Sequence, residues 1–487
     1  MKLRSKLAAL ALILGLAIGT AYAQDAGQAK YVFLFIGDGM ALAQVSAAEV
    51  YSKAAGGPKP GFTRLTFSQF PAQGICTTYD SSSVITDSAS AITAIATGNK
   101  TLSGVINMDE GKTKKYKTIA EYAKEKGMKV GVATTVSLDH ATPAGYYAKV
   151  PTRGDYYDIA LQLAASGFDY FGGGGFLQPK GKKGDQADVL DIARKSGYSI
   201  VNDVAAFKAL KPAQGQKVIA INPTLQDSMA MPYEIDREAK DLSLADYVAK
   251  GIELLDNPDG FFFSIEGGKI DWACHANDAA ASIGDTLALD RAIAKAVEFQ
   301  KKRPDETLII VTGDHETGGM SIGFAGTQYS TAFQKVFLQQ GSYVAFNDSI
   351  LAPYKQRKTA ATAKLEDLLP AIKSYFGIDF SALDDASREM LQRSFVRSMK
   401  GEVERAPQES IYNLYGGYEP LTVTLTHLCN QAAGIGWTTY SHTGVPVPVY
   451  ALGAGQGSFS GYYDNTDIFR KLAKAMGVSV PQTVAAR

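Results

Sequence analysis

The sequence predicts an α/β fold, a mostly parallel central β-sheet flanked by helices, with a helical or irregular insertion. Three observations carry this. Apolar runs ending in small polar turns recur at "YVFLFIGDG" (31–39), "KVGVATTVSLDHATP" (129–143), "GFFFSIEGG" (260–268), "TLIIVTGDHETGG" (307–319) and "PVPVYALGAG" (446–455). Helix-like patterns lie between them, among them "TIAEYAKEKG" (118–127), "ADYVAKGIELLDN" (245–257) and "DTLALDRAIAKAVEFQKK" (285–302). Runs without strict alternation are strands buried on both faces, and their alternation with helices builds βαβ units around a parallel sheet. Finally, residues from about 325 to 436 contain helical "ATAKLEDLLPAIKSYFG" and "ASREMLQRSFVRSMKGEVERA" but no run of the central type. They read as an insertion on the sheet, a cap over the site or a contact in a homodimer.

The remaining bulk properties mostly exclude. Hydrophobic residues make up 46% of the 487 and charged residues 20%, an ordinary globular composition with ample core material. The 49 basic and 49 acidic side chains cancel, so net charge gives no reason to expect nucleic acid or an anionic membrane as partner. Residues 1–23 carry Lys2, Arg4 and Lys6, an apolar run from Leu7 to Ile18, and the small-x-small pattern Ala21-Tyr22-Ala23. That is a secretory signal peptide, with cleavage expected near Ala23/Gln24. The apolar run is shorter than the ~20 residues a membrane span needs. The expected product is one periplasmic or secreted domain, 24–487, with no membrane span. Cys76, Cys274 and Cys429 are an odd number for an exported chain, so at least one thiol stays unpaired or pairs between chains. The glycines Gly172–Gly175 follow "FDYF" and read as a strand-end turn. No Lys-Ser/Thr follows them, which argues against a phosphate-cradling P-loop.

In an open α/β sheet the ligand site lies off the carboxyl ends of the strands. Asp38, Glu266, Asp314 and His315 close three of the runs there, and His140 and Thr142 follow a fourth. A charged group after a buried strand is unfavourable unless it is paired or binds a metal. In "EGGKIDWACH", Asp271 opening a helix puts His275 at i+4, one turn away on the same face. His442 precedes the last strand. Four of the five histidines fall in these clusters. Singly each has a plain reading as a turn, loop or strand-end residue. Together, mixed Asp and His ligands suit zinc, whereas all-oxygen sets suit magnesium. In "VITDSASAITAIATGNKT" (84–101), Asp87 and Ser88 precede a small-residue helix that Gly98 ends. Ser88 reads as a helix cap or as a nucleophile, because a helix N-terminus favours both an alkoxide and a phosphate.

The motifs "FIGDGM", "TDSASAITAIATGNKT", "ATPAGYYAKVPTR", "IEGGKIDWACH", "VTGDHETGG" and "SHTG" occur in this order over nearly the whole mature chain. In them the chain resembles the alkaline phosphatases. The resemblance implies hydrolysis of small-molecule phosphate monoesters through a phosphoserine at Ser88, now both cap and nucleophile. By the same resemblance Asp271, His275 and His442 hold one Zn2+, and Asp38, Asp314, His315 and the Ser88 oxygen hold a second. Asp38 bridges to a Mg2+ completed by Thr142 and Glu266, and Arg153 grips the phosphoryl group. His140 and Trp272 stand where other members carry Asp or Lys. His140 either alters the metal of the third site or is a hydrogen-bond partner behind the ligands, and Trp272 reads as a pocket wall. Rival readings are a phosphodiesterase of the same superfamily and a non-catalytic periplasmic phosphate- or metal-binding protein. A sulfatase would need Cys- or Ser-x-Pro-x-Arg at the nucleophile, where "SASAI" stands.

Overall fold

A computed structural model describes residues 28–403 and 411–481. The signal peptide and its cleavage point lie outside the described residues. The strands are β1 Tyr31–Gly37, β2 Ala72–Thr77, β3 Lys129–Thr134, β4 Tyr170–Gly173, β5 Tyr198–Val201, β6 Lys217–Ile221, β7 Phe261–Gly267, β8 Thr307–Gly313, β9 Glu316–Thr317, β10 Ser321–Ile322, β11 Ile435–Gly436, β12 His442–Thr443, β13 Val447–Gly453 and β14 Gly461–Asp464. Ten of them form one sheet in the order β14-β2-β13-β8-β1-β7-β3-β4-β6-β5. All its pairings are parallel except those of β13, which runs antiparallel to both β8 and β2. The five predicted strands are present, each shorter than its run; at the carboxyl ends of β1, β3, β7 and β8 the polar tails leave the ladder to line the site, whereas the end of antiparallel β13 lies at the opposite edge, Gly453 pairing with Leu308.

Burial on both faces explains the unbroken apolar runs. Along β1, Val32, Leu34 and Ile36 enter one apolar layer, and Tyr31, Phe33 and Phe35 enter the other. Helices that cover the sheet, adjoin the site or lie within 325–436 are α1 Leu42–Ala55, α2 Ser88–Thr97, α3 Ala141–Ala144, α4 Leu244–Leu255, α5 Lys269–His275, α6 Ala279–Gln300, α7 Asp385–Lys400, α8 Pro420–Ala433 and α9 Thr466–Met476. The first layer includes Ile92 and Ile95 of α2 and Leu472 of α9. The second includes Leu255 of α4 and Leu289 and Ile293 of α6. Helix α6 starts six residues before the predicted Asp285, because Ala279 to Ser282 are all buried and show no polar face to read. Asp278 caps it, accepting from the Ala281 N–H at 3.1 Å.

Within 325–436, α7 and α8 pack through an apolar cluster of their own that includes Leu391, Phe395, Leu421 and Leu425. The Gly172–Gly175 run does end β4. Gly173 has φ 146°, and a Cβ there would lie 2.1 Å from the Thr134 carbonyl oxygen. No helix among the described residues is long and apolar enough to cross a membrane. Cys76, Cys274 and Cys429 are buried free thiols.

Candidate active site

Strand register creates the site. Gly37 of β1 pairs with Gly267 of β7 and Gly313 of β8, and Thr134 of β3 pairs with Glu266. Four neighbouring parallel strands therefore end at one level, where Asp38, Glu266, Asp314 and His315 follow or finish them. Helix α5 directly after β7 brings Asp271 and His275. Asp271 is its third residue rather than its first, and the i+4 pairing holds with His275 Nε2 3.3 Å from Asp271 Oδ2. His442 lies in β12, which pairs antiparallel with β9 so that His442 faces Thr317. Thr142 sits within α3 rather than in a loop, and its Oγ1 donates to Asp38 Oδ2 at 3.4 Å.

Ser88 is not the cap. Asp87 takes that place, its Oδ1 accepting from the Ser90 N–H at 3.0 Å. With Asp87 as the charged cap, the Ser88 hydroxyl is free to face the site, where Oγ is 3.3 Å from His315 Nε2. Asp87 Oδ2 also accepts from Arg153 Nη1 at 3.0 Å. Arg153 Nη2 reaches His140 Nε2 at 3.1 Å. An arginine only donates, so that His140 nitrogen accepts and its proton resides on Nδ1.

The donor set fits metal ions. Ligand atoms of Asp271, His315 and His442, of Asp38, Asp314 and His315, and of Asp38, His140 and Glu266 lie within 4.8 Å of one another in each group. His275 completes the first group, with Nε2 3.1 Å from His442 Nε2. His275 Nδ1 is 2.6 Å from the Tyr440 carbonyl oxygen and His442 Nδ1 2.7 Å from that of Thr86. Carbonyls only accept, so both Nδ1 atoms carry protons and both Nε2 lone pairs turn towards the site. Asp38 Oδ1, Asp314 Oδ2 and Glu266 Oε1 are buried and have no hydrogen-bond partner among the described residues.

Electrostatics agree. Burial, with Asp314, Asp271 and Glu266 close by, pushes the Asp38 carboxyl well above its usual range. Burial pushes Asp314 up to about 8 and Glu266 up to about 7. Burial opposes ionisation of Asp271 too, but when His275 and His442 are protonated their charge outweighs it and holds that carboxyl well below the usual range. Burial, then Arg153, takes His140 down to about 3. So many carboxylates in a low dielectric are stable as anions only with cations among them.

Thus the structure gathers Ser88, Arg153 and all the proposed ligands. His140 and Trp272 adjoin them, ring centroids 5.7 Å apart. Sequence reasoning passed over Thr317, whose Oγ1 donates to Asp271 Oδ1 at 2.5 Å and lies 3.2 Å from His315 Nδ1. Its spacing of two from His315 in extended chain was the available signal.

A parallel sheet with such a carboxylate and imidazole cluster at its carboxyl edge defines a metal-dependent α/β enzyme. The family model described as alkaline phosphatase matches residues 29–478. Alkaline phosphatase 3 of Bacillus subtilis is 30% identical over 464 residues, spanning 93% of this chain and 90% of its own. The crystal structure of a cold-active alkaline phosphatase from a psychrophilic Shewanella matches with a TM-score of 0.74 at 28% identity, covering 92% of this chain and 99% of that one. Alkaline phosphatase of the Antarctic bacterium TAB5, as a histidine-to-aspartate mutant with Mg bound in its M3 site, matches at 0.64 and 25% identity, covering 93% and 100%. The chain belongs to the alkaline phosphatase family, and it is a phosphatase.

Proposed function

We propose that the protein hydrolyses phosphate monoesters through a covalent phosphoserine at Ser88, using two Zn2+ and one Mg2+. The observation that carries this is Ser88 at the first position of α2, its hydroxyl released from capping and set against His315 in the pocket that also holds Arg153. Asp271, His275 and His442 would hold one zinc, Asp38, Asp314, His315 and Ser88 the other, and Asp38, Thr142 and Glu266 the magnesium. Bound there, the ions supply Lewis acidity that lowers the pKa of a hydroxyl and of water and balances the carboxylates.

The chain's own residues do the rest. Arg153, oriented by Asp87, offers two N–H groups to phosphoryl oxygens. The N-terminus of α2 adds a favourable field for the dianion. Ser88 Oγ attacks phosphorus in line, the bond to the ester oxygen breaks, and the alcohol leaves with a proton. Water then attacks the phosphoserine from the vacated side, breaking the Oγ–P bond and releasing phosphate. Arg153 holds His140 by one ring nitrogen, beside the Asp38 and Glu266 carboxylates. Export of the mature domain to the periplasm or medium belongs to the same reading.

The test is p-nitrophenyl phosphate hydrolysis before and after chelation, with zinc and magnesium restored separately and together. Full recovery is expected only with both. Ser88→Ala should bind metals, yield no acid-stable phosphoprotein by mass spectrometry and lose nearly all turnover. Full activity in that variant overturns the mechanism.

A further inference from the structure

The pocket extends well past the phosphoryl position. Beyond Ser88, Arg153 and the histidines it is lined by Asp227, Ser228, Trp272, Tyr343 and Tyr418, and the cavity measures about 360 Å³. Pockets of ~300–1,000 Å³ enclose drug-sized organic ligands, so this one has room for much more than a phosphoryl group. Tyr343 and Tyr418 come from the insertion, and their rings meet edge to face with centroids 5.8 Å apart. Tyr233 fixes Tyr343 by donating its hydroxyl at 3.3 Å.

The Asp227 wall is held in an unusual backbone. Ser228 and Met229 are consecutive left-handed residues, with φ 49° and 60°. Side chains other than glycine rarely adopt this, and it persists where surrounding contacts enforce it, often at binding sites. Lys269 is one enforcing contact. Its side chain is fully buried, its ammonium pairs with Asp227 Oδ1, and it lies 3.7 Å from the Tyr233 ring centroid and 5.0 Å from that of Trp272. Gln226 is another, donating to Asp236 Oδ2 at 2.8 Å and accepting from the Tyr233 N–H at 3.1 Å.

We propose that these five residues form a leaving-group subsite that favours neutral, ring-bearing alcohols rich in hydroxyl donors, the chemistry of a nucleoside. The inference rests on the monoesterase reading above. Lys269 already balances Asp227 and presents its charge to Trp272, so a cationic alcohol meets no unmatched anion. An anionic alcohol would compete for Arg153, which Asp87 and the phosphoryl group engage. An alkyl chain would offer no hydrogen bond to the Ser228 hydroxyl or the Tyr418 phenol. A planar base stacks on aromatic rings whatever its identity, and a carboxylate accepts from ribose hydroxyls as it does in dinucleotide sites.

The experiment compares kcat/KM for adenosine 5′-monophosphate, glycerol 2-phosphate and phosphocholine, using metal-loaded protein and its Tyr418→Ala and Asp227→Asn variants. The wild-type ratio of the nucleotide to glycerol phosphate should reach about tenfold, and Tyr418→Ala should cut it by about the same factor, the worth of a stacked base. Asp227→Asn should lower it through KM. A ratio near one, a ratio that neither variant moves, or a preference for phosphocholine overturns the subsite. Release of phosphate from none of the three esters instead defeats the monoesterase reading itself, so the two failures are distinguishable.

Discussion

Asp87 shows how much one side chain can carry. Oδ1 caps α2, accepting from the Ser90 N–H at 3.0 Å and the Ser90 hydroxyl at 2.7 Å, while Oδ2 holds Arg153. Burial works against its charge, yet Arg153 and the Ser90 bonds outweigh burial and bring the carboxyl down to about 2. Asp87→Asn separates the two duties, because asparagine caps helices about as well as aspartate. The expected outcome is unchanged thermal stability within about 1 kcal/mol, with phosphate inhibition weakened about tenfold as a charge-assisted bond is lost. The inhibition constant for phosphate and a melting curve on the same preparation check both halves. The carboxylates Asp38, Glu266 and Asp314 of the candidate site were legible in the sequence because each closes a strand run, and Asp271 because His275 lies one helical turn on. The division of labour between Asp87 and Ser88 was not, since both residues suit a cap and only backbone geometry chooses. The carbonyls of Thr86 and Tyr440 that orient His442 and His275 carry no side-chain signal at all.

At the scale of elements, α2 is the piece that must not move. All ten of its residues are buried, and Gly98 ends it in the left-handed region at φ 72°. A Cβ at Gly98 would lie 2.7 Å from Phe469 Cδ1, on α9. Gly98→Ala therefore combines an unfavourable φ with a clash against a buried ring, worth about 1–3 kcal/mol. Melting temperature should fall by several degrees, while KM for p-nitrophenyl phosphate in the folded fraction stays close to wild type. A variant that melts with the parent would show that α2 and α9 are not packed as described. Gly98 was legible because a glycine closing a small-residue run is a strong stop signal. Strands β2, β5, β6 and β14 were not: they are short, and β2 shows a mixed buried and exposed pattern. Nor could the apolar run at β13 announce that it pairs antiparallel, since strand direction is settled by the connections.

Across the whole molecule, carboxylates on and before α6 tie distant segments together, two of them reaching residues 339–343. Asp278 at the start of α6 accepts from the Tyr343 N–H at 2.9 Å and from Gln339 Nε2 at 2.8 Å. Asp236 accepts from the Ser342 hydroxyl and N–H at 2.5 and 2.7 Å. Asp285, on α6, accepts from the Glu234 N–H at 3.2 Å, and burial pushes its carboxyl up to about 8. The sign of the consequence follows. In the unfolded chain Asp285 loses its proton near pH 3.9, but in the folded protein it keeps it until about 8. Between those values the folded state binds the extra proton, so the contribution of Asp285 to stability declines as pH rises. Asp285→Asn keeps an oxygen for the Glu234 N–H and has nothing to titrate. Its melting temperature should gain on the parent's steadily from pH 5.5 to pH 8, with zinc and magnesium saturating throughout so that the metal ligands stay loaded. A constant offset across that range would mean that Asp285 is ionised in the folded protein, its charge matched by the buried Lys269, and the pH dependence would then have to reside in other buried groups such as Asp278, which burial takes up to about 6.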